Sequence, residues 1–302
     1  MYTAADPRSR LAAGAAPAAA GPSRFADASY ARFYEGPPQE TVAGTRHWYA
    51  RGQNFVIAYT EAAPGAVLER QGQADEYVVL LPDAGAGATV TAGGETVEVP
   101  GRTLVFVPPG DSRVVMRDGG RVVRMLTTRA EDLAAKCSNA AAYAEPHPDI
   151  PPLQAWPDPP AGFRIRSYSI DQPEQEGRFG QIWRCTTFMI NVFPPAPPRP
   201  LNKLSPHHHD TFEQCSLALA GEFMHHLRWP WTTDMADWRA DEHEHCAAGS
   251  IVVIPPKVIH TTAAAASANN VLVDIFSPPR VDFSKMAGWV LNADDYPMPE
   301  AD

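Results

Sequence analysis

Short apolar runs set off by Gly, Pro and Asp give this chain its rhythm. Residues 54–59 (Asn-Phe-Val-Ile-Ala-Tyr), 77–81 (Tyr-Val-Val-Leu-Leu) and 104–107 (Leu-Val-Phe-Val) are rich in β-branched and aromatic side chains. Runs of that kind between turn formers predict strands of a sandwich or barrel. Ala92-Gly93-Gly94-Glu95 predicts a hairpin turn between strands at 88–91 and 96–99. In this half only residues 129–144 carry a helical stripe, formed by Leu133, Ala134, Cys137 and Ala141. The strand pattern resumes at 163–169, 181–192, 214–220, 222–228, 250–254 and 270–276. The chain is therefore read as all-β.

Proline separates these two series. Across 145–162 the text becomes Pro-His-Pro, Pro-Pro and Pro-Asp-Pro-Pro, a composition that suits an extended, semi-rigid connector. At 302 residues there is room for two domains of about 100–150 residues each. The division predicted is a mobile arm over 1–28, a first domain over 29–144, the linker over 145–162 and a second domain over 163–302. The arm is alanine-rich but interrupted by Pro7, Arg8, Arg10, Gly14 and Pro17, so it lacks the apolar core of a secretory signal. An organelle presequence is the alternative for that segment.

A formal net charge of −10 argues against nucleic acid or an anionic membrane surface as partner. No run approaches the roughly 18 apolar residues of a membrane span. The four cysteines, Cys137, Cys185, Cys215 and Cys246, form no CxxC pair and read as reduced, buried thiols of a cytoplasmic protein.

Candidate chemistry gathers in the second half. His207 and His209 are two apart, so in an extended strand both imidazoles leave one face. Glu213 and Gln214 follow with oxygen donors, and His260 lies just beyond the run 249–256. Three imidazoles and an oxygen from separate strands make a site for one divalent transition metal, with Fe, Zn, Ni and Mn all open. The first half repeats the plan. Gln71, Gln73 and Glu76 precede Gly101, an apolar run, and Pro108-Pro109-Gly110-Asp111-Ser112-Arg113, against Pro255-Pro256-Lys257-Val258-Ile259-His260. Gln71, Gln73 and Arg113 stand where the second half has His.

This pair of motifs resembles the cupin superfamily, whose motifs read G-x5-HxH-x3,4-E-x6-G and G-x5-PxG-x2-H-x3-N. The resemblance covers residues 65–113 and 207–269 and implies a bicupin: two tandem jelly-roll barrels, the first degenerate and the second metal-binding. It implies His207, His209 and His260 as ligands. For the fourth, Glu213 has the x3 spacing, while Gln214 has x4 and leaves six residues before Gly221. Strand alternation favours Gln214, whose face also carries Ser216 and Ala218, and Glu213 stays as the alternative. The chain departs from the pattern in lacking the Gly before His207, in Lys257 for the Gly of PxG, and in lacking the final Asn. In the first barrel, Arg113 with Arg70 offers a place for an anion, against a purely structural role.

Other signals carry a plainer reading. His243 and His245 sit on an exposed acidic strand without a downstream partner, and His225 and His226 leave opposite faces of theirs. Arg228-Trp229-Pro230-Trp231 either closes the cavity mouth or packs a domain interface. The tail with Trp289 and Tyr296 either straps the body or crosses to a second subunit of a homodimer. The function implied is a mononuclear metal enzyme, oxygenase-type, acting on a small organic acid. Neutral ligands leave the metal its full charge and favour an anionic chelating substrate. No catalytic base is assigned; Glu213 and His226 are candidates. The alternatives are a small-acid binding or sensing protein and a metal-dependent isomerase or lyase on a sugar acid.

Overall fold

The computed structural model describes residues 25–300, apart from 179 and 267. The first 24 residues of the expected arm lie outside the described residues. Phe25 and Ala28, which fall in its last part, pack on the cluster around Trp229 and lead directly into the strand Ser29–Arg32.

The strands gather into four sheets, two per half. In the first half a seven-stranded sheet faces a four-stranded one; in the second a six-stranded sheet faces a three-stranded one. The order of the large sheets is the same. Thr103–Val107, Tyr77–Leu81, Gly120–Thr127, Phe55–Ala62 and Thr45–Arg51 run side by side in the first. Ser250–Ile254, Gln214–Ala220, Val271–Phe276, Met189–Val192 and Gln181–Arg184 run so in the second. Each large sheet ends in a strand from the other half. Ser29–Arg32 pairs with Ser250–Ile254, and Arg166–Ser169 pairs with Thr103–Val107. The two halves therefore exchange edge strands across the connector.

Alternation explains the layering. In each large sheet one set of residues meets the opposite large sheet. Trp48, Ile57, Leu80, Phe106 and Met125 join Trp183, Ile190, Leu217, Ile251 and Val273 in one core between the barrels. The alternate residues of the first sheet, among them Tyr49, Ala58, Tyr77, Val79, Val105, Val122 and Leu126, fill the first barrel. Because both faces are covered, these strands read as continuous apolar runs. All four cysteines are free and buried. Gly93 and Gly94, at φ 58° and 81°, make the predicted hairpin between Ala88–Ala92 and Glu95–Val99.

Some expectations are corrected. The helix expected over 129–144 shrinks to Glu131–Ala134 plus a 3-10 turn at Ala140–Tyr143. Asn139 breaks it by using its side chain on the backbone N–H and C=O of Arg51. The run 181–192 is two strands, folded back by the bond from Cys185 N–H to the Phe188 carbonyl. Trp229 packs beneath Arg239 and Phe25, while Trp231 stacks on Trp238 at the surface, so neither lies between the barrels or lines the cavity at the histidines. The tail straps its own body: Tyr296 is buried, and its hydroxyl donates to Glu76 Oε1 at 2.6 Å.

Candidate metal centre

His207, His209 and His260 converge, their ligating nitrogens all within 4.8 Å of one another. The strand Ile259–Ala264 supplies His260, and a β-bridge in which His207 and His260 exchange backbone hydrogen bonds brings the His207–His209 segment alongside. Metal–nitrogen bonds of about 2.0–2.1 Å need only small ring adjustments from there. Two rings are already held in a ligating tautomer. His207 Nδ1 lies 2.9 Å from the Ser205 carbonyl and His260 Nδ1 lies 2.9 Å from that of Val258. Each Nδ1 therefore donates its proton outward and leaves Nε2 free. Burial pushes His209 down to about 4 and His260 to about 3. Both are neutral at ordinary pH, as a ligand must be.

The oxygen donor beside them is Gln214. Its Oε1 lies 2.9 Å from His209 Nε2 and 3.4 Å from His260 Nε2. Its Nε2 donates to Ser216 Oγ at 3.0 Å, and Ser216 Oγ donates to Asp274 Oδ1 at 2.7 Å. That chain fixes which end of the amide faces the imidazoles. Glu213 is elsewhere. Its strand neighbour parity turns it toward the first barrel, where Gln53 N–H donates to Oε2 at 2.7 Å and the Tyr143 hydroxyl to Oε1 at 2.9 Å. Burial pushes this carboxyl up to about 7. Glu76 does the same job from the other side, accepting from Thr186 N–H and the Tyr296 hydroxyl. Glu213 and Glu76 are thus matched clamps between the barrels, and Glu213 does not join the group formed by the three histidines.

Lys257 occupies the position of the motif's Gly with φ 69°, so the loop keeps its left-handed turn. Its Nζ pairs with Asp149 of the connector at 2.7 Å, and its N–H donates to the His209 carbonyl. Gly221 sits at φ 78°, where a Cβ would lie 2.2 Å from Asn270 Oδ1.

His207 and His260 of the triad open, with Gln214, on a cavity of about 410 Å³. Its walls are Phe193, Pro197, Pro198, Phe223, Ala264 and Leu272, and its polar groups include His207, His260, Gln214, Asp274 and Arg199. Among the described residues the Arg199 guanidinium donates to neutral acceptors, the carbonyls of Lys203 and Thr262 and Ser205 Oγ. Burial pushes Asp274 up to about 6. Across the sheet from Asp274 stands Asn191, whose amide is buried without a hydrogen-bond partner. Sequence reasoning missed Asp274. Its signal was a lone acid inside the run Val271-Leu272-Val273-Asp274-Ile275-Phe276.

Among the remaining histidines, His226 is half-buried against His243 and does not line the triad's cavity. His225 is buried, 3.0 Å from Thr262 Oγ1 through Nδ1. In the first barrel the strand Gly110–Met116 turns Arg113 outward to Glu69 and puts Ser112 inside, against the Tyr77 hydroxyl, one residue before the position the motif aligns with His260. A slip of one residue swaps every face. Gln71 is exposed, and Arg70 is bound by both oxygens of Asp132. The anion place expected from Arg113 and Arg70 is therefore not formed by them.

Solved structures with the same fold cover both barrels. An oxalate decarboxylase of Lactobacillus farciminis, solved as a formate complex, matches 85% of this chain and 89% of its own at 13% identity and TM-score 0.56. AerE from Microcystis aeruginosa matches 85% of this chain and 100% of its own at 11% identity and TM-score 0.52. The protein Ylba from E. coli matches 90% and 98% at 10% identity and TM-score 0.53. No protein-family model and no curated protein matches the chain. The chain shares its two-barrel fold with these structures, the architecture that the resemblance to the cupin superfamily implies. Among the described residues no helix is long and apolar enough to cross a membrane.

Proposed function

We propose that this chain is a metal-dependent cupin enzyme acting on an organic acid, with the metal held in the second barrel by His207, His209, His260 and Gln214. The observation that carries the reading is a cluster of three imidazoles, two of which, His207 and His260, open directly with Gln214 on a largely apolar cavity. The donor set fits the ion: three nitrogens with two tautomers fixed, one amide oxygen fixed by Ser216, and no negative charge among them. A bound divalent ion would act as a Lewis acid and, if it is iron, would support oxygenase chemistry.

The chain's own groups then divide the work. Arg199, which lines the cavity and has no acid partner among the described residues, attracts the anionic head of the substrate. Phe193, Phe223 and Leu272 exclude water around the substrate's body. Asp274 holds a proton below about pH 6 and gives it up above, with Ser216 linking it to the Gln214 amide. The apolar walls disfavour a polyhydroxylated sugar acid, and so count against the isomerase or lyase reading.

Elemental analysis of protein purified without added metal tests the first half of the reading, with about one transition-metal ion per chain expected. Oxygen uptake on addition of aromatic and branched aliphatic monoacids tests the second. Stoichiometric metal with tight acid binding but no oxygen consumed and no product would turn the reading to a binding protein.

A further inference from the structure

The first barrel has lost its histidines, yet it keeps a charge at its centre. Arg124 lies between Val122 and Leu126 on the strand Gly120–Thr127, both of which point into that barrel. It therefore points inward with them. Its backbone stands opposite Ala58 and Val79. The same place in the second barrel is held by Asp274, opposite Asn191 and Ser216. One lattice position of the fold thus carries a buried acid where the metal triad is present and a buried guanidinium where it is not.

Arg124 as a whole is 4% exposed, and among the described residues its Nε, alone of the three guanidinium nitrogens, is buried with no hydrogen-bond partner. Among the described residues no acid bridges it. Asp132, which acts on it electrostatically, is bound at both oxygens by Arg70. Tyr49 and Tyr77 also act on it, but the Tyr49 hydroxyl already donates to Glu40. Tyr77 and Ser112 share one contact of 2.9 Å in which either oxygen can donate. That pair holds two hydroxyl hydrogens and uses one, so it has a neutral donor left. Arginine does not shed its proton to escape burial, and an unpaired buried charge is among the most expensive features a core can hold.

We propose that the first barrel is a binding site for a small monoanion, of chloride or formate size, held by Arg124 with a hydroxyl of the Tyr77–Ser112 pair. The degenerate barrel is then an anion-holding module independent of the metal centre. Arg113 and Arg70, the cations the motif points to, serve only as surface and rim bridges.

The test uses the full chain stripped of metal by a chelator. Its melting temperature is followed as sodium chloride or sodium formate replaces sodium gluconate at constant ionic strength, gluconate being too large to enter the barrel. The expected result is a saturable rise of roughly 2–8 °C in chloride or formate, lost in Arg124→Met. In gluconate, Arg124→Met should melt at or above the wild type, because the unpaired charge is gone. An equal response of wild type and Arg124→Met, or no response of the wild type, overturns the site. Should Arg124→Met fail to fold, Arg124→Lys keeps the charge but loses the fork. It is expected to raise the titration midpoint at least fivefold, and an unchanged midpoint overturns the proposal.

Discussion

Exchanging the two adjacent residues Glu213 and Gln214 for alanine, one at a time, separates metal binding from barrel docking. Gln214 Oε1 is the oxygen beside His209 and His260, whereas Glu213 is committed to Gln53 and Tyr143. Gln214→Ala should therefore weaken metal binding and leave stability nearly unchanged. Glu213→Ala should leave metal affinity within about threefold and cost roughly 2 kcal/mol of stability, since it strands a part-buried N–H and a part-buried hydroxyl. Ser216→Ala tests the link behind the ligand. It removes the 3.0 Å bond that orients the amide, and losing an outer partner of a metal ligand typically costs 10–100-fold in affinity, about 1.4–2.7 kcal/mol. Competition of metal-free protein with a chromophoric chelator for Zn²⁺ reads the affinities, and urea denaturation reads the stabilities. If Glu213→Ala weakens metal binding more than Gln214→Ala, the assignment is wrong. A Ser216→Ala affinity equal to wild type would show that the amide is held by something else.

Two further outcomes are expected. His207→Ala combined with His260→Ala should abolish stoichiometric metal by elemental analysis while the far-ultraviolet circular dichroism stays that of the wild type, because neither ring belongs to the barrel core. Asp274 is raised from 3.8 to about 6, so the folded state binds more protons than the unfolded between those values. The stability it contributes is fully present below pH 3.8 and is lost as pH rises through 6, amounting to roughly 3 kcal/mol. Asp274→Asn should flatten that part of the stability–pH curve in metal-free protein, and an identical slope in both proteins counts against a raised carboxyl.

The fold was legible because two levels of pattern agreed. Strand-length apolar runs named the class, and the repeat of Gln71, Gln73 and Pro108–Arg113 against His207, His209 and Pro255–His260 named the duplication. Alternation also separated Gln214 from Glu213, since a side chain's face depends only on parity within the strand. Arg113 was misread because the inward position of its strand falls one residue earlier, at Ser112, than the alignment with His260 puts it, and an offset of one residue between two repeats leaves little mark in a single sequence. Arg124 and Asp274 went unread for a different reason. Each is one charge in a run that scores as core, and its meaning emerges only when the two repeats are laid on each other strand by strand. The packing of Glu76 and Glu213 between the barrels depends on contacts 70 to 220 residues apart along the chain, beyond any local signal.

The traded edge strands, Ser29–Arg32 and Arg166–Ser169, govern how this protein is made as well as how it stands. During synthesis the leading barrel must wait with an open sheet edge until residue 169 has left the ribosome. The trailing barrel, in turn, closes only by recruiting a segment translated long before it. Cutting the gene at the proline connector would therefore yield two fragments with sticky, unpaired margins. Coexpressed, those fragments should find each other; apart, each should aggregate.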